Sequence, residues 1–412
     1  MEIVYADNNA TTRVAPEVVE AMRPFFEESY FNPSSMYDAA HGPAEAIKEA
    51  RASIARHLGG VRSDEILFTS CATESNNTAI FGAVRANPAR RHVITTCVEH
   101  PAVLNVCKEL EHEGLEVTVL PVDRQGRLDT ADFVRALRRD TLLVTIMHAN
   151  NETGVVFPVG ELARIAKETD PGIIVHTDAT QTVGKLAIDL SRQLRHVDML
   201  AFSGHKLHAP KGVGCLFMRR GTACRPFLLG GHQEAGRRGG TENVAFIVGL
   251  ARALELAVAT HEDDEPHITA MRDRLERELT ARIPLTEING AGAPRLGNTS
   301  NLSCHFVEGE GILYQLSAAG ICASSGSACT SGSLETSHVL RGMGIPFTAA
   351  HGSVRFSFSR YNRKGDVDHI VSVFPEVIAS LRRLSPYWDN ASDRPRPEAE
   401  GMLHGAPAGA PR

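Results

Sequence analysis

Long apolar runs are missing from this chain of 412 residues, as are Cys-x-x-Cys pairs, phosphate-loop signatures and clusters of basic residues. No uninterrupted apolar stretch approaches the roughly 18–20 residues that a bilayer-spanning helix needs. The formal net charge of −6 is spread along the chain. It gives no support for binding nucleic acid or a membrane, either of which would show as basic clusters. Neither G-x-x-x-x-G-K-S/T nor G-x-G-x-x-G occurs, so neither a P-loop nor a dinucleotide fold is indicated. The first residues, Met1 to Asp7, have neither the basic start nor the apolar core of a signal peptide. Eight cysteines stand at 71, 97, 107, 215, 224, 304, 322 and 329, most of them in or near apolar runs where a thiol packs as a small hydrophobe. A disulfide framework is not expected in so long a chain with its own core. The setting expected is cytoplasmic and reducing, and no internal repeat is found.

What is present reads as a globular protein: 42% hydrophobic and 22% charged residues, in a chain long enough for about two domains. From residue 65 the pattern alternates. Apolar runs at Ile66–Thr69, Val93–Thr96, Val117–Leu120, Leu142–Met147, Ile173–His176, Val197–Phe202 and Val213–Met218 predict seven strands. Helical stretches such as Ala72–Ala86, Ala102–Glu113 and Val159–Thr169 lie between most of them, which argues for an α/β fold with a mainly parallel sheet covered on both faces. A helix from Pro16 through about Glu28 and another over Ala44–Leu58 precede this pattern. Residues 16–261 are expected to form the large domain. Residues 1–15 with 262–388 form a smaller α+β domain, and the Pro-, Gly-, Ala- and Asp-rich 389–412 a disordered tail.

Several short stretches could carry chemistry. Ser203-Gly204-His205-Lys206 leaves the strand Val197–Phe202 at its carboxyl end, where open α/β sheets place ligands. A lysine desolvated there loses its proton more easily, which suits Schiff-base chemistry, although most lysines are plain surface residues. Ser70-Cys71-Ala72-Thr73-Glu74-Ser75-Asn76 joins a strand to a helix. It reads as a phosphate site at a helix N-terminus or as an ordinary cap. Asp178 ends a buried strand and needs a partner, which a protonated pyridine nitrogen or a helix cap would provide; Gln181 could meet a ring hydroxyl. His100 follows another strand, where an imidazole can stack on a planar ring and move protons or serve structure alone. Cys329, in Ser324-Ser325-Gly326-Ser327-Ala328-Cys329-Thr330-Ser331-Gly332, stands apart from the other cysteines, because Gly and Ser suggest an exposed, mobile loop.

In this order, together with Asn150-Asn151-Glu152-Thr153-Gly154, these stretches resemble fold-type I pyridoxal-phosphate transferases. With Cys329 in its Gly/Ser loop the chain resembles the cysteine desulfurases from about Tyr5 to Trp388, and the nitrogen-fixation form, NifS, more than its housekeeping relative IscS. Asp7-Asn8-Asn9-Ala10-Thr11-Thr12-Arg13, Gly230-Gly231-His232-Gln233-Glu234 and Arg237-Arg238-Gly239-Gly240-Thr241-Glu242-Asn243 add to the likeness. The resemblance implies a homodimer with pyridoxal 5'-phosphate (PLP) held by Lys206. Its phosphate would be bound by Ala72, Thr73, Ser203 and His205, with Thr241 from the second subunit. Asp178 would pair with the pyridinium, Gln181 with the ring oxygen, and His100 would stack on the ring. Asn151 and Arg355 would hold the substrate carboxylate, with Asn32 a weaker candidate, and Cys329 would be the nucleophile. One departure stands out: where the nitrogen-fixation form is expected to carry tryptophan, this chain has His148.

The activity so implied converts L-cysteine to L-alanine, leaves the sulfur as a persulfide on Cys329, and passes it to an iron–sulfur scaffold protein, with nitrogenase maturation as the pathway. Cys329 is also a candidate ligand to a transient iron–sulfur cluster. The alternatives are a housekeeping desulfurase, a selenocysteine lyase or an aminotransferase, the last having no use for a mobile thiol. A non-catalytic sulfur carrier would cluster its thiols and would leave Lys206, Asp178 and His100 without a role.

Overall fold

The computed structural model describes residues 3–325 and 336–403. After a two-residue strand, β1 (Val4–Tyr5), come seven that form one sheet: β2 (Ile66–Thr69), β3 (His92–Thr96), β4 (Glu116–Leu120), β5 (Thr141–Thr145), β6 (Ile174–Asp178), β7 (Met199–Ser203) and β8 (Gly214–Met218). Their spatial order is β2-β8-β7-β6-β5-β3-β4. The pairs β3–β4, β3–β5, β5–β6 and β6–β7 are parallel, whereas β8 runs antiparallel to both β2 and β7. This is the mainly parallel seven-stranded α/β sheet expected. Every residue of β2, β3, β5, β6 and β7 is buried, because helices cover both faces.

The helices Ala72–Ala86 and Val159–Thr169 fall where the periodicity puts them. The first predicted helix is divided, however. It runs over Pro16–Met22 and restarts at Pro24–Glu27, since Pro24 has no N–H to continue the ladder. Helix Val244–Ala259 packs on His41–His57 and Pro16–Met22. That close approach needs Gly249, where a Cβ would come within 2.6 Å of Met22 Sδ. The next helix, His261–Arg282, turns away by 76°, and among the described residues no single helix is long and apolar enough to cross a membrane.

A second core lies beneath the strands β9 (Thr286–Ile288), β10 (Thr299–Cys304), β11 (Ile321–Cys322), β12 (Ser324–Ser325) and β13 (Ser353–Ser357). Four of them pair antiparallel in the order β12-β13-β10-β9. Leu302, Val354 and Phe356 pack there against Leu275, Ile312 and Phe374 of the covering helices. The N-terminus is tied to this unit: β1 pairs in parallel with β11, Ala6 joins its core, and Asp7 bridges to Ser357.

The expected disordered tail is corrected as far as residue 403. Strands β14 (Trp388–Asp389) and β15 (Arg394–Pro395) form a hairpin followed by the short helix Pro397–Glu400. The physical reason is one anchor in an otherwise polar segment. Trp388 is only 2% exposed, with the Arg382 guanidinium 4.5 Å from its ring centroid and Phe306 alongside. Its Nε1 donates to Asp393 Oδ1 at 3.1 Å. Residues 404–412 lie outside the described part.

Candidate active site

β7 ends on Ser203 and the chain turns through Gly204–Lys206, so Lys206 stands at the carboxyl end of the sheet. Lys206 Nζ donates to the carbonyls of Asn9 and Ala10, both at 2.7 Å. Burial, then the positive Arg355, pulls its pKa down to about 8, against the opposing pull of Asp7 and Asp178. His205 beside it is pulled down to about 4 by burial and by Lys206 and Lys211, so its ring is neutral and its Nδ1 meets Thr11 Oγ1 at 3.1 Å.

These residues border a cavity of about 370 Å³. One wall is the first turn of helix Ala72–Ala86, where Ala72 and Thr73 line the space and the N-cap residue Cys71 makes no capping hydrogen bond. The N–H groups of that turn therefore lack a side-chain cap. The turn is held from behind, because Glu74 accepts from Ser70 N and pairs with Arg238, each at 2.8 Å. Asp178 closes β6. Its Oδ1 accepts from Thr180 N at 2.9 Å and its Oδ2 from Asn76 Nδ2 at 2.7 Å.

His100 caps helix Pro101–His112, its Nδ1 accepting from Ala102 N at 3.1 Å. An accepting Nδ1 places the proton of the neutral ring on Nε2. The residue is exposed at the cavity mouth, yet desolvation by the protein around it lowers its pKa. Asp178 opposes that shift, and Lys206 and His338 add to it. Across the cavity, Arg355 on β13 donates from Nη2 to Asp7 Oδ1 at 2.7 Å and from Nη1 to the Asn151 carbonyl at 3.0 Å. Gln181 Nε2 donates to the Asn9 carbonyl at 3.1 Å.

Two buried hydroxyls on the cavity wall, Ser203 Oγ and Thr180 Oγ1, have no hydrogen-bond partner among the described residues. Buried hydroxyls of this kind call for an acceptor or donor from outside the chain. Together with an uncapped helix terminus, a carboxylate and an easily deprotonated lysine, they fit a phosphorylated pyridine aldehyde.

Of the residues singled out from sequence, the cavity brings together Ala72, Thr73, His100, Asn151, Asp178, Gln181, Ser203, His205, Lys206 and Arg355. Asn32 and Thr241 do not line it within one chain. Both are exposed, and Asn32 Oδ1 accepts from Ser34 N at 2.9 Å inside its own turn. Cys329 lies outside the described residues. Among those residues no group of His, Cys, Asp and Glu is placed to hold a metal ion, and the seven described cysteines are free. Burial pushes the Cys107 thiol up to about 12 and Cys304 up to about 11, which keeps both as packing residues.

Cavity residues to which the sequence assigns no role include Asn9, Cys71, Asn76, Glu152 and Thr180. Asn9, Cys71, Asn76 and Glu152 stand inside stretches that the sequence marks for other residues. The available signal was an excess of amides and carboxylates beside buried strands, since such groups need partners. Glu152 is buried, with its carboxyl pushed up to about 7, and accepts from Ser337 Oγ at 2.5 Å.

The chain is similar to several known proteins. Residues 4–370 match the family model of the class-V aminotransferases. The chain is 53% identical over 388 residues to cysteine desulfurase NifS of Azotobacter vinelandii, covering 94% of this chain and 96% of that one. It is 51% identical over 404 residues to cysteine desulfurase 2 of Trichormus variabilis, covering 98% and 100%. A solved structure of a NifS-like protein superposes with a TM-score of 0.86 at 37% identity, covering 92% of this chain and 100% of that one.

Proposed function

We propose a full sulfur-transfer cycle for this chain, which belongs to the aminotransferase class-V family and, within it, to the cysteine desulfurases. It is a PLP-dependent enzyme acting on cysteine. When bound, PLP supplies an electron sink for the charge released at the substrate α-carbon. The residues proposed to hold it are Lys206 through its amine, Ala72, Thr73, Ser203 and His205 at the phosphate, and Asp178, Asn151, Gln181 and His100 around the ring. Thr241 of a second copy of the chain completes the phosphate site.

Arg355 and Asn151 hold the substrate carboxylate, arginine being suited to this by its planar fork. The Lys206 amine, whose lowered pKa leaves far more of it neutral near physiological pH than an exposed lysine would be, takes and returns the proton at the α-carbon. His100, neutral with its proton on Nε2, stands at the mouth as a second carrier. Cys329 thiolate attacks the substrate sulfur. The S–S bond forms as the Cβ–S bond breaks, its electron pair passes to carbon, and protonation there gives L-alanine and a Cys329 persulfide.

The observation that carries this reading is the meeting of Lys206, Asp178 and Arg355 at one cavity beside two unpaired hydroxyls. Borohydride reduction of the yellow holoenzyme and peptide mapping test it: a pyridoxyl label on the Lys206 peptide is expected, and a label on another lysine contradicts the assignment.

The persulfide is proposed to pass to an iron–sulfur scaffold protein, in a cytoplasmic homodimer whose pathway is nitrogenase maturation. Likeness to a NifS supports that pathway. His148 favours the housekeeping reading, and it is built in, with Nδ1 3.1 Å from Thr182 Oγ1. Growth on dinitrogen of a diazotroph whose own nitrogen-fixation desulfurase is replaced by this one separates the two. The roles of Cys329 as a transient cluster ligand and of selenocysteine as a substrate are further proposals, read by iron content and by alanine release from selenocysteine.

A further inference from the structure

Lys185 is a half-buried amine that the sulfur chemistry does not use. Its Nζ donates to Gln181 Oε1 at 2.7 Å and to Asn9 Oδ1 at 3.1 Å. Both amides are fixed by groups that can only accept. Asn9 Nδ2 donates to the Asn151 carbonyl at 3.1 Å, and Gln181 Nε2 donates to the Asn9 carbonyl at 3.1 Å. Their oxygens therefore face Lys185, because a flipped amide would set its oxygen against a carbonyl that can only accept. Asn298 Nδ2 also donates to Asn9 Oδ1, at 2.9 Å, and closes the knot. Gln181 Nε2 keeps one hydrogen that its Asn9 contact does not take, and the residue lines the PLP cavity.

We propose that Lys185 is a positioning residue for the cofactor: by holding Gln181 Oε1 it makes Gln181 Nε2 a fixed donor to the ring oxygen of PLP. This rests on the reading that Gln181 meets that oxygen. Without Lys185 the amide keeps only its Asn9 contact, nothing pins its oxygen, and the side chain can swing away from the ring oxygen. The same lysine sits close enough to Lys206 for their charges to oppose each other, and both border a second, smaller cavity of about 60 Å³.

A double-mutant cycle on cofactor affinity tests the proposal, with PLP titrated into the apoenzyme and followed by its visible absorption band. Lys185→Met and Gln181→Ala are each expected to weaken PLP binding about 3- to 10-fold, the range of one hydrogen bond. The double variant is expected to be no weaker than Gln181→Ala alone, since Lys185 acts through Gln181. Lys185→Arg, which restores a donor, should recover part of the loss and return the band toward its wild-type position. Gln181→Glu keeps a partner for Lys185 but loses the Nε2 donor, so it should weaken PLP as Gln181→Ala does; if Lys185→Met does not fold, the cycle is run with Lys185→Ala. Full additivity in the double variant, or unchanged affinity in Lys185→Met, overturns this inference alone. Unchanged affinity in both Gln181→Ala and Gln181→Glu overturns it together with the placement of the ring oxygen.

Discussion

Arg355 and Asp7 meet at 2.7 Å, Nη2 to Oδ1, across 348 positions of sequence. The contact joins β13 of the smaller sheet to the turn after β1, and the Asn151 carbonyl adds a third point at 3.0 Å. Arg355 is therefore oriented before any substrate arrives. Its Nε is enclosed without a partner among the described residues.

Arg355→Lys should lower kcat/KM for L-cysteine by about 10- to 100-fold, mainly through KM. A planar fork is replaced by a point charge, and a hydrogen bond to a charged group contributes about 1.5–3 kcal/mol. Steady-state alanine release checks this. A loss confined to kcat would point instead to a role for Arg355 in the chemical step.

Uptake of PLP by the apoenzyme should depend on the neutral amine of Lys206. Burial and Arg355 lower that pKa to about 8, so the neutral fraction rises with pH through about 8. The rate is expected to climb roughly tenfold per pH unit below that value and to level off above about pH 9, since each unit below the pKa cuts the neutral amine tenfold. A rate flat from pH 6 to 9 would contradict the assignment of Lys206 or its environment.

The large sheet was legible because its strands are buried on both faces and read as continuous apolar runs, as with Ile66–Thr69 and Val197–Phe202. The reversed direction of β8 was not, since an apolar run looks the same whichever way it points. Lys206, Asp178 and His100 were legible because each stands at or just past the carboxyl end of a strand. Their neighbour Asn9 was not, because it reaches Lys206 across 197 positions and nothing local marks that contact. The tail misled for a compositional reason. Its prolines and aspartates read as disorder, whereas its order follows from Trp388 just before it, whose burial depends on Phe306 and Arg382 of distant segments.

Trp388→Ala should release the hairpin and helix that follow it. Truncating a buried tryptophan costs about 3–5 kcal/mol at the site, and here the loss falls on a segment outside the two main cores. Limited proteolysis is expected to cut between residues 385 and 403 in the variant and to leave the wild type intact there. PLP content should be unchanged, because no residue of this segment lines the cavity. Loss of PLP would mean that the segment supports the site.

The central claim is that sulfur leaves L-cysteine and comes to rest on Cys329. Intact mass after brief exposure of the holoenzyme to L-cysteine, beside Cys329→Ala, tests it most directly. The account predicts one added sulfur on the wild type, matched by alanine in the medium, and none on the variant, which stays yellow. A variant that gains sulfur, or a wild type that releases alanine without gaining any, would contradict it.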